Sequence, residues 1–268
     1  MSAAERRARF RELHAGDRLF LMPNPWDVGS ARLLELLGFE ALATTSAGFA
    51  WTLGKLDTQV TRDELIAHVR ALAAATSLPL NVDSERCFPD DPGGVAEAVR
   101  LLAEAGAAGC SIEDYDPTTG RVVDIGLAAE AVAEAAEAAH RLADPIVLTG
   151  RAENLLHGVD DLDDTIARLV AYRDAGADCL YAPGLTDLDQ IRAVVQALGA
   201  PVNVLALPRG PSVAELAAAG VRRVSTGGAL AGAAFGALVA GAQELRDEGT
   251  AGYATATPRD ALSAAFGT

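Results

Sequence analysis

The chain has 268 residues, half of them apolar, with 12 prolines and 26 glycines, enough to bury one substantial core as a single domain over residues 1–268. Asp and Glu outnumber Lys and Arg by 37 to 22, and the formal charge of −15 argues against nucleic acid or an anionic membrane as partner. The three cysteines, Cys87, Cys110 and Cys179, are widely spaced and form no CxxC pair, which argues against a disulfide framework or structural zinc and for a reducing, cytoplasmic setting.

The chain opens with Glu5, Arg6, Arg7 and Arg9 in place of an apolar leader. No stretch approaches the roughly 20 apolar residues that span a bilayer, so the sequence reads as unprocessed and soluble. Short aliphatic runs then alternate with longer Ala, Leu and Arg stretches of helical spacing. Strands are expected at Leu19–Met22, Ala41–Thr45, Leu80–Asp83, Cys110–Glu113, Ile146–Thr149, Cys179–Ala182, Val202–Leu205 and Arg223–Ser225. Parallel strands joined by helices, about eight times over, predict an α/β fold of the (β/α)8 barrel type.

Helix punctuation agrees with this pattern. Thr61 with Glu64 and Ser212 with Glu215 have capping-box spacing, and Asp91 before Pro92 predicts a third helix start. Gly106, Gly176 and Gly220 each precede a strand, where a left-handed residue ends the previous helix. The alanine-rich run Leu127–Ala143 predicts one outer helix. Residues 228–268 predict a final helix to about Glu248 and a tail whose apolar segment, Ala261–Phe266, is expected to pack on a partner subunit.

A parallel barrel carries its active site at the C-terminal ends of its strands. The polar residues there are Thr44, Thr45 and Ser46, then Asp83 and Glu85, Glu113 and Asp114, Arg151 and Glu153, Asn203, and Thr226. Acids from neighbouring strands repel one another on one rim unless a cation compensates. Oxygen ligands from Asp83, Glu85 and Glu113 without a nearby histidine suit magnesium or manganese, whereas the blander reading makes these acids solvated or helix-capping. Arg151 ends an apolar strand, where a guanidinium can clamp a carboxylate or phosphonate through parallel hydrogen bonds or pair with Glu153 or Glu113. The Ser46-Ala47-Gly48 turn can offer N–H groups and a hydroxyl to an oxyanion.

Lys55 is the sole lysine and lies in a loop, which ranks a Schiff-base aldolase last; borohydride trapping at Lys55 tests it. His14, His68 and His140 fall on predicted helices, where solvent-facing or capping roles are expected, and only His157 can reach the rim. Cys87 beside the acids is expected to keep its proton.

Several motifs together resemble the isocitrate lyase and phosphoenolpyruvate mutase superfamily over nearly the whole chain. They are Met22-Pro23-Asn24-Pro25-Trp26-Asp27, Thr44-Thr45-Ser46-Ala47-Gly48, Asn81-Val82-Asp83-Ser84-Glu85, Ser111-Ile112-Glu113-Asp114 and Thr149-Gly150-Arg151-Ala152-Glu153-Asn154. The resemblance implies that Asp83, Glu85 and Glu113 hold Mg2+ directly or through water, with Mn2+ as the alternative. Trp26, Ser46, Ala47, Gly48, Arg151, Glu153 and Asn203 become the substrate-binding set for a 2-oxo acid or enolpyruvate, and Asp57 matches an aspartate near the substrate. It also implies a last helix exchanged between subunits of a homo-oligomer, a tetramer or dimer.

The lyase members carry a Lys-Lys/Arg-Cys-Gly-His loop after the fourth strand. The corresponding stretch here, Tyr115–Arg121, is short and lacks lysine, cysteine and histidine, Pro183 replaces a glutamate, and Cys87 replaces a glycine. Asp57, Tyr115 and Arg121 are the candidate proton carriers in its place. The leading expectation is therefore a magnesium-dependent enzyme acting on a small 2-oxo or enolpyruvate carboxylate by C–C lyase, decarboxylase or C–P hydrolase chemistry. The alternative is a barrel that binds a 2-oxo acid without turning it over, which tight ligand binding with no product across a broad panel would support.

Overall fold

The computed structural model describes residues 1–267. Eight parallel strands form the sheet: β1 (Phe20–Met22), β2 (Leu42–Ala43), β3 (Leu80–Asp83), β4 (Gly109–Glu113), β7 (Val147–Arg151), β8 (Cys179–Tyr181), β9 (Val202–Leu205) and β10 (Arg223–Ser225). Their order is β1-β10-β9-β8-β7-β4-β3-β2, and Ala43 N–H donates to Pro23 O at 3.1 Å across the remaining seam, so the sheet curls into a nearly closed (β/α)8 barrel. All eight expected strands are present, several with ends shifted by a residue or more.

β5 (Tyr115–Asp116) and β6 (Arg121–Val122) pair antiparallel, so the stretch after β4 is a hairpin in place of the expected plain loop. The helices are α1 (Ala3–Ala15), α2 (Val28–Leu36), α3 (Ser46–Thr52), α4 (Arg62–Ala75), α5 (Gly94–Ala105), α6 (Ile125–His140), α7 (Leu162–Asp174), α8 (Leu188–Leu198), α9 (Val213–Ala218), α10 (Ala229–Glu248) and α11 (Arg259–Phe266). None is long and apolar enough, among the described residues, to cross a membrane.

Both expected capping boxes form, on α4 and α9. Gly106, Gly176 and Gly220 all take positive φ, as their place before a strand requires. The start at Asp91-Pro92 is corrected: Gly93 and Gly94 have φ of +85° and +58°, which delays α5 to Gly94. Within the chain, α11 lies against α2.

The N-terminal arginines plug the base of the barrel. Arg6 donates to Ala73 O and Thr76 O, Arg7 to Ala103 O and Ala107 O, and Arg11 to Pro145 O, so α1 satisfies carbonyls at the ends of outer helices and loops. Phe10 of α1 packs with Phe20, Ala41, Ala108 and Val147 as a separate apolar cluster under the strands. His14 and His68 are buried, unlike the expectation for helix histidines: His14 meets Phe10 and Phe20 edge-on, and His68 stacks on Phe49.

Candidate active site

Alternation along β4 and β7 sorts their polar residues between two faces. Glu113 and Arg151 are register partners on adjacent strands, and the Arg151 Nη1 stands 3.2 Å from Glu113 Oε2. The same Nη1 is 3.2 Å from Asp83 Oδ1, while Nε donates to Glu153 Oε1. Burial opposes the charge on Arg151, but Glu113, Glu153 and Asp83 more than offset it, so the guanidinium stays protonated well above its ordinary range. Its Cζ also lies 5.4 Å from the Tyr181 ring centroid.

Asp114 points the other way. It accepts from Arg168 Nη1 at 3.0 Å, from Tyr172 Oη at 2.5 Å and from the Glu153 backbone N–H at 2.8 Å. Of the two acids ending β4, one therefore faces the site and the other ties α7 to the strand that carries Arg151.

A cavity of about 160 Å3 opens at the C-terminal end of the barrel. Of the candidate residues, Ser46, Ala47, Asp57, Asp83, Arg151 and Asn203 line it. Ser46 N–H donates to Asp83 Oδ2 at 3.1 Å and Asp83 N–H donates to Thr44 Oγ1 at 2.9 Å, which fixes the carboxylate. Gly48 plays another part than expected: its N–H is taken by the Thr45 cap at 3.2 Å, and an added Cβ would stand 2.6 Å from Thr45 Cγ2 and 3.2 Å from Trp26 Cβ. It permits close packing of α3, and Trp26 is its neighbour there, outside the cavity lining.

Asp57 sits at the mouth with an outer edge open to solvent. Partial burial, then the nearby Asp83 charge, raise its pKa above the ordinary aspartate value. Burial, then Asp83 and Asp57, push Glu85 up to about 8. Burial also drives Glu113 and Glu153 upward, against the pull of Arg151. The rim thus crowds carboxylates around one guanidinium.

That donor set fits a hard divalent cation in its chemistry, all oxygen and short of positive charge. The three acids expected to ligate it do not converge here. Among the described residues no group of three or more Asp, Glu, His or Cys side chains is arranged to hold an ion. The reason is local: Arg151 stands between Asp83 and Glu113, and Glu85 takes a φ of +48° beside Phe88 in an adjoining cleft.

The hairpin brings no proton carrier into the cavity. Tyr115 stacks on His157 at 3.4 Å between ring centroids, and Arg121 is exposed. Lys55 Nζ is bound by both oxygens of Glu64 at 2.6 Å, and Cys87 is buried against Ser84 Oγ at 3.4 Å.

Sequence reasoning missed Arg223, Thr149, Tyr181 and Asn24. Asn24 Oδ1 accepts from the N–H groups of Thr226 and Gly227, both at 2.9 Å, while its Nδ2 donates to Thr44 O at 2.7 Å, joining three rim loops. Arg223 opens its strand whereas Arg151 ends one, so the argument from C-terminal strand ends that marked Arg151 does not reach it.

The chain is similar to known proteins over most of its length. The family model described as phosphoenolpyruvate phosphomutase matches residues 10–246. The solved structure of a candidate lyase/mutase from Burkholderia cenocepacia J2315 superposes with a TM-score of 0.92 at 52% identity, covering 97% of this chain and 95% of that one. An oxaloacetate decarboxylase of Bradyrhizobium sp. (strain BTAi1) is 31% identical over 256 residues, which is 92% of this chain and 87% of the relative. An oxaloacetate acetylhydrolase, solved with its product oxalate, has a TM-score of 0.86 at 28% identity, covering 98% of this chain and 94% of that one.

Proposed function

The chain belongs to the phosphoenolpyruvate phosphomutase family of enzymes, and from that premise we propose that it breaks the C3–C4 bond of a small 2-oxo dicarboxylate. The observation that carries this reading is Arg151, a charged guanidinium at the strand ends held in place by Asp83, Glu113 and Glu153. A guanidinium so oriented presents its remaining N–H groups to a carboxylate with little reorganisation. The activities named for the oxaloacetate relatives are consistent with it.

Asp83, Glu85 and Glu113, which do not converge on one point, would hold a divalent cation through bridging water, Mg2+ in the first place. When bound, it would supply Lewis-acid stabilisation of the negative charge that develops on the 2-oxygen. The chain's own residues do the rest. Arg151 holds the 1-carboxylate, Ser46 keeps Asp83 aligned through its N–H, and Leu156 and Pro183 wall off the cavity. Heterolysis of the C3–C4 bond releases the distal carboxylate as CO2 and leaves its electron pair on C3, delocalised onto the 2-oxygen as an enolate. Asp57, whose pKa is raised, delivers a proton to C3, and the resulting carboxylate is reprotonated from solvent at the mouth.

Oxalate mimics the enolate and avoids the unknown tail of the substrate. Calorimetry should show oxalate binding with Mg2+ that EDTA abolishes, followed by turnover of oxaloacetate. Absence of binding in both conditions would sink the reading. The stacked Tyr115 and exposed Arg121 favour one second reading, a barrel that binds a 2-oxo acid without turning it over; oxalate binding with no product from any 2-oxo dicarboxylate would select it.

The assembly is proposed to be a homo-oligomer in which α10 is exchanged between subunits, because α10 leaves the barrel with Leu238, Val239 and Leu245 exposed. Three free, buried cysteines suit a reducing cytoplasmic setting.

A further inference from the structure

Register links the rim of the cavity to its floor. Arg151 pairs with Tyr181, Tyr181 with Asn203, and Asn203 with Arg223, so one diagonal row crosses β7, β8, β9 and β10. Arg223 is only 2% exposed, yet it lines the cavity. Buried charges are ordinarily paired with opposite charges. Arg223 has three neutral partners instead: Nε donates to Asn203 Oδ1 at 2.9 Å, Nη2 to Thr149 Oγ1 at 3.0 Å, and Nη1 meets His14 Nε2 at 3.1 Å. His14 is held neutral, its pKa lowered to about 3 by burial and then by Arg223, and its Nδ1 lies 2.8 Å from Phe10 O, so Nε2 can accept.

A guanidinium carries five N–H donors. Three are used by these contacts, which leaves two without a partner in the chain. No carboxylate forms an ion pair with Arg223 among the described residues. The barrel interior, usually filled by branched aliphatic side chains, here holds a charged and polar layer with unspent hydrogen-bonding capacity.

Arg223 reaches across the barrel to Thr149, two residues before Arg151 on β7. Thr149 and Arg151 thus mark two levels of one cavity, about 7 Å apart along the strand. We propose that Arg223, with the Thr149 hydroxyl, forms a second anion subsite at the cavity floor that takes the distal carboxylate of a four-carbon dicarboxylate whose first carboxylate is held by Arg151. The inference rests on the proposed role of Arg151 and specifies its substrate class, a dianion long enough to span both sites.

Calorimetry with unreactive probes tests the subsite. Succinate and butyrate have the same chain length and differ by the second carboxylate, whereas oxalate is too short to reach the floor. The wild-type protein should bind succinate about 30-fold more tightly than butyrate, as one charge-assisted contact warrants. Arg223→Gln should bring that ratio below about threefold and leave oxalate affinity within about threefold of wild type; Arg223→Lys should keep most of the preference. A purely structural arginine would lower thermal stability without changing the ratio.

Equal wild-type binding of succinate and butyrate overturns the proposal without any variant, so a misfolded Arg223→Gln does not rescue it. So does a preference for succinate that survives Arg223→Gln. Failure of oxalate to bind while the Arg223-dependent succinate preference persists would remove the enolate reading and leave the floor subsite standing.

Discussion

Arg151 Nη1 lies 3.2 Å from Asp83 Oδ1, so the group assigned to the substrate carboxylate is held by an acid assigned to the cation. The two functions share one hydrogen bond. Arg151→Met should therefore lower oxalate affinity about 100-fold, through the lost clamp and through acids left without their counter-charge. Calorimetry that finds oxalate affinity within threefold of wild type would remove Arg151 from the anchor.

Asp83 separates the two contributions. In Asp83→Ala, Arg151 keeps Glu113 and Glu153 as partners, so a weakened oxalate site should persist while its dependence on Mg2+ disappears. Oxalate titrations with Mg2+ and with EDTA should then coincide. Retained metal-dependent turnover in this variant would show that the cation is held elsewhere.

The crowded rim predicts a pH dependence for the metal-free chain. Glu85 ionises near 8 in the folded state against an ordinary value of 4.5, so the native protein holds its proton more tightly than the unfolded chain. The Glu85 contribution is fully present below pH 4.5, declines as pH rises from there to about 8, and is flat above. Glu85→Gln should flatten that decline. Because a cation binds the ionised acid, Mg2+ should raise Tm more at pH 8.5 than at pH 5.5, a contrast that scanning calorimetry reads directly. An equal Mg2+ effect at both pH values would count against Glu85 as a ligand.

The second acid of β4 predicts stability instead of binding. Asp114→Ala leaves Tyr172 Oη and the Glu153 N–H without their acceptor and removes one partner from Arg168, at a cost of about 3 kcal/mol. Urea unfolding should show this loss. A Tm unchanged within a degree or two would mean that water replaces the carboxylate.

The alternation of strands and helices was legible because each barrel strand is a short apolar run bounded by a polar end and, in five cases, preceded by a left-handed glycine. The rim acids were legible for the same reason, since they interrupt that pattern at its end. Arg223 was not, because it opens its strand, at the end away from the active-site rim. Nor does local spacing reveal that Gly48 serves packing: the atoms that exclude a Cβ belong to Thr45, Trp26 and Ala231, and the last of these is far along the chain. The hairpin at Tyr115–Val122 was hidden by its two-residue strands, too short for any period to show.

The last helix carries a prediction about assembly. Phe235, Leu238, Val239, Ala242 and Leu245 recur at the spacing of one helical face, an arrangement that ordinarily covers a core. Here Phe235 meets Trp51 at 5.9 Å between ring centroids, while Leu238, Val239 and Leu245 remain 65%, 54% and 53% exposed. A soluble chain gains by covering such a stripe, and a second copy offering the same helix is the symmetric way to do so. Light scattering should give the mass of a dimer or tetramer. Leu238→Glu with Leu245→Glu should shift it to the monomer while far-ultraviolet dichroism stays unchanged, because neither side chain packs into the barrel core. A monomeric wild-type chain would refute the exchange and leave the exposed stripe without a partner of its own kind.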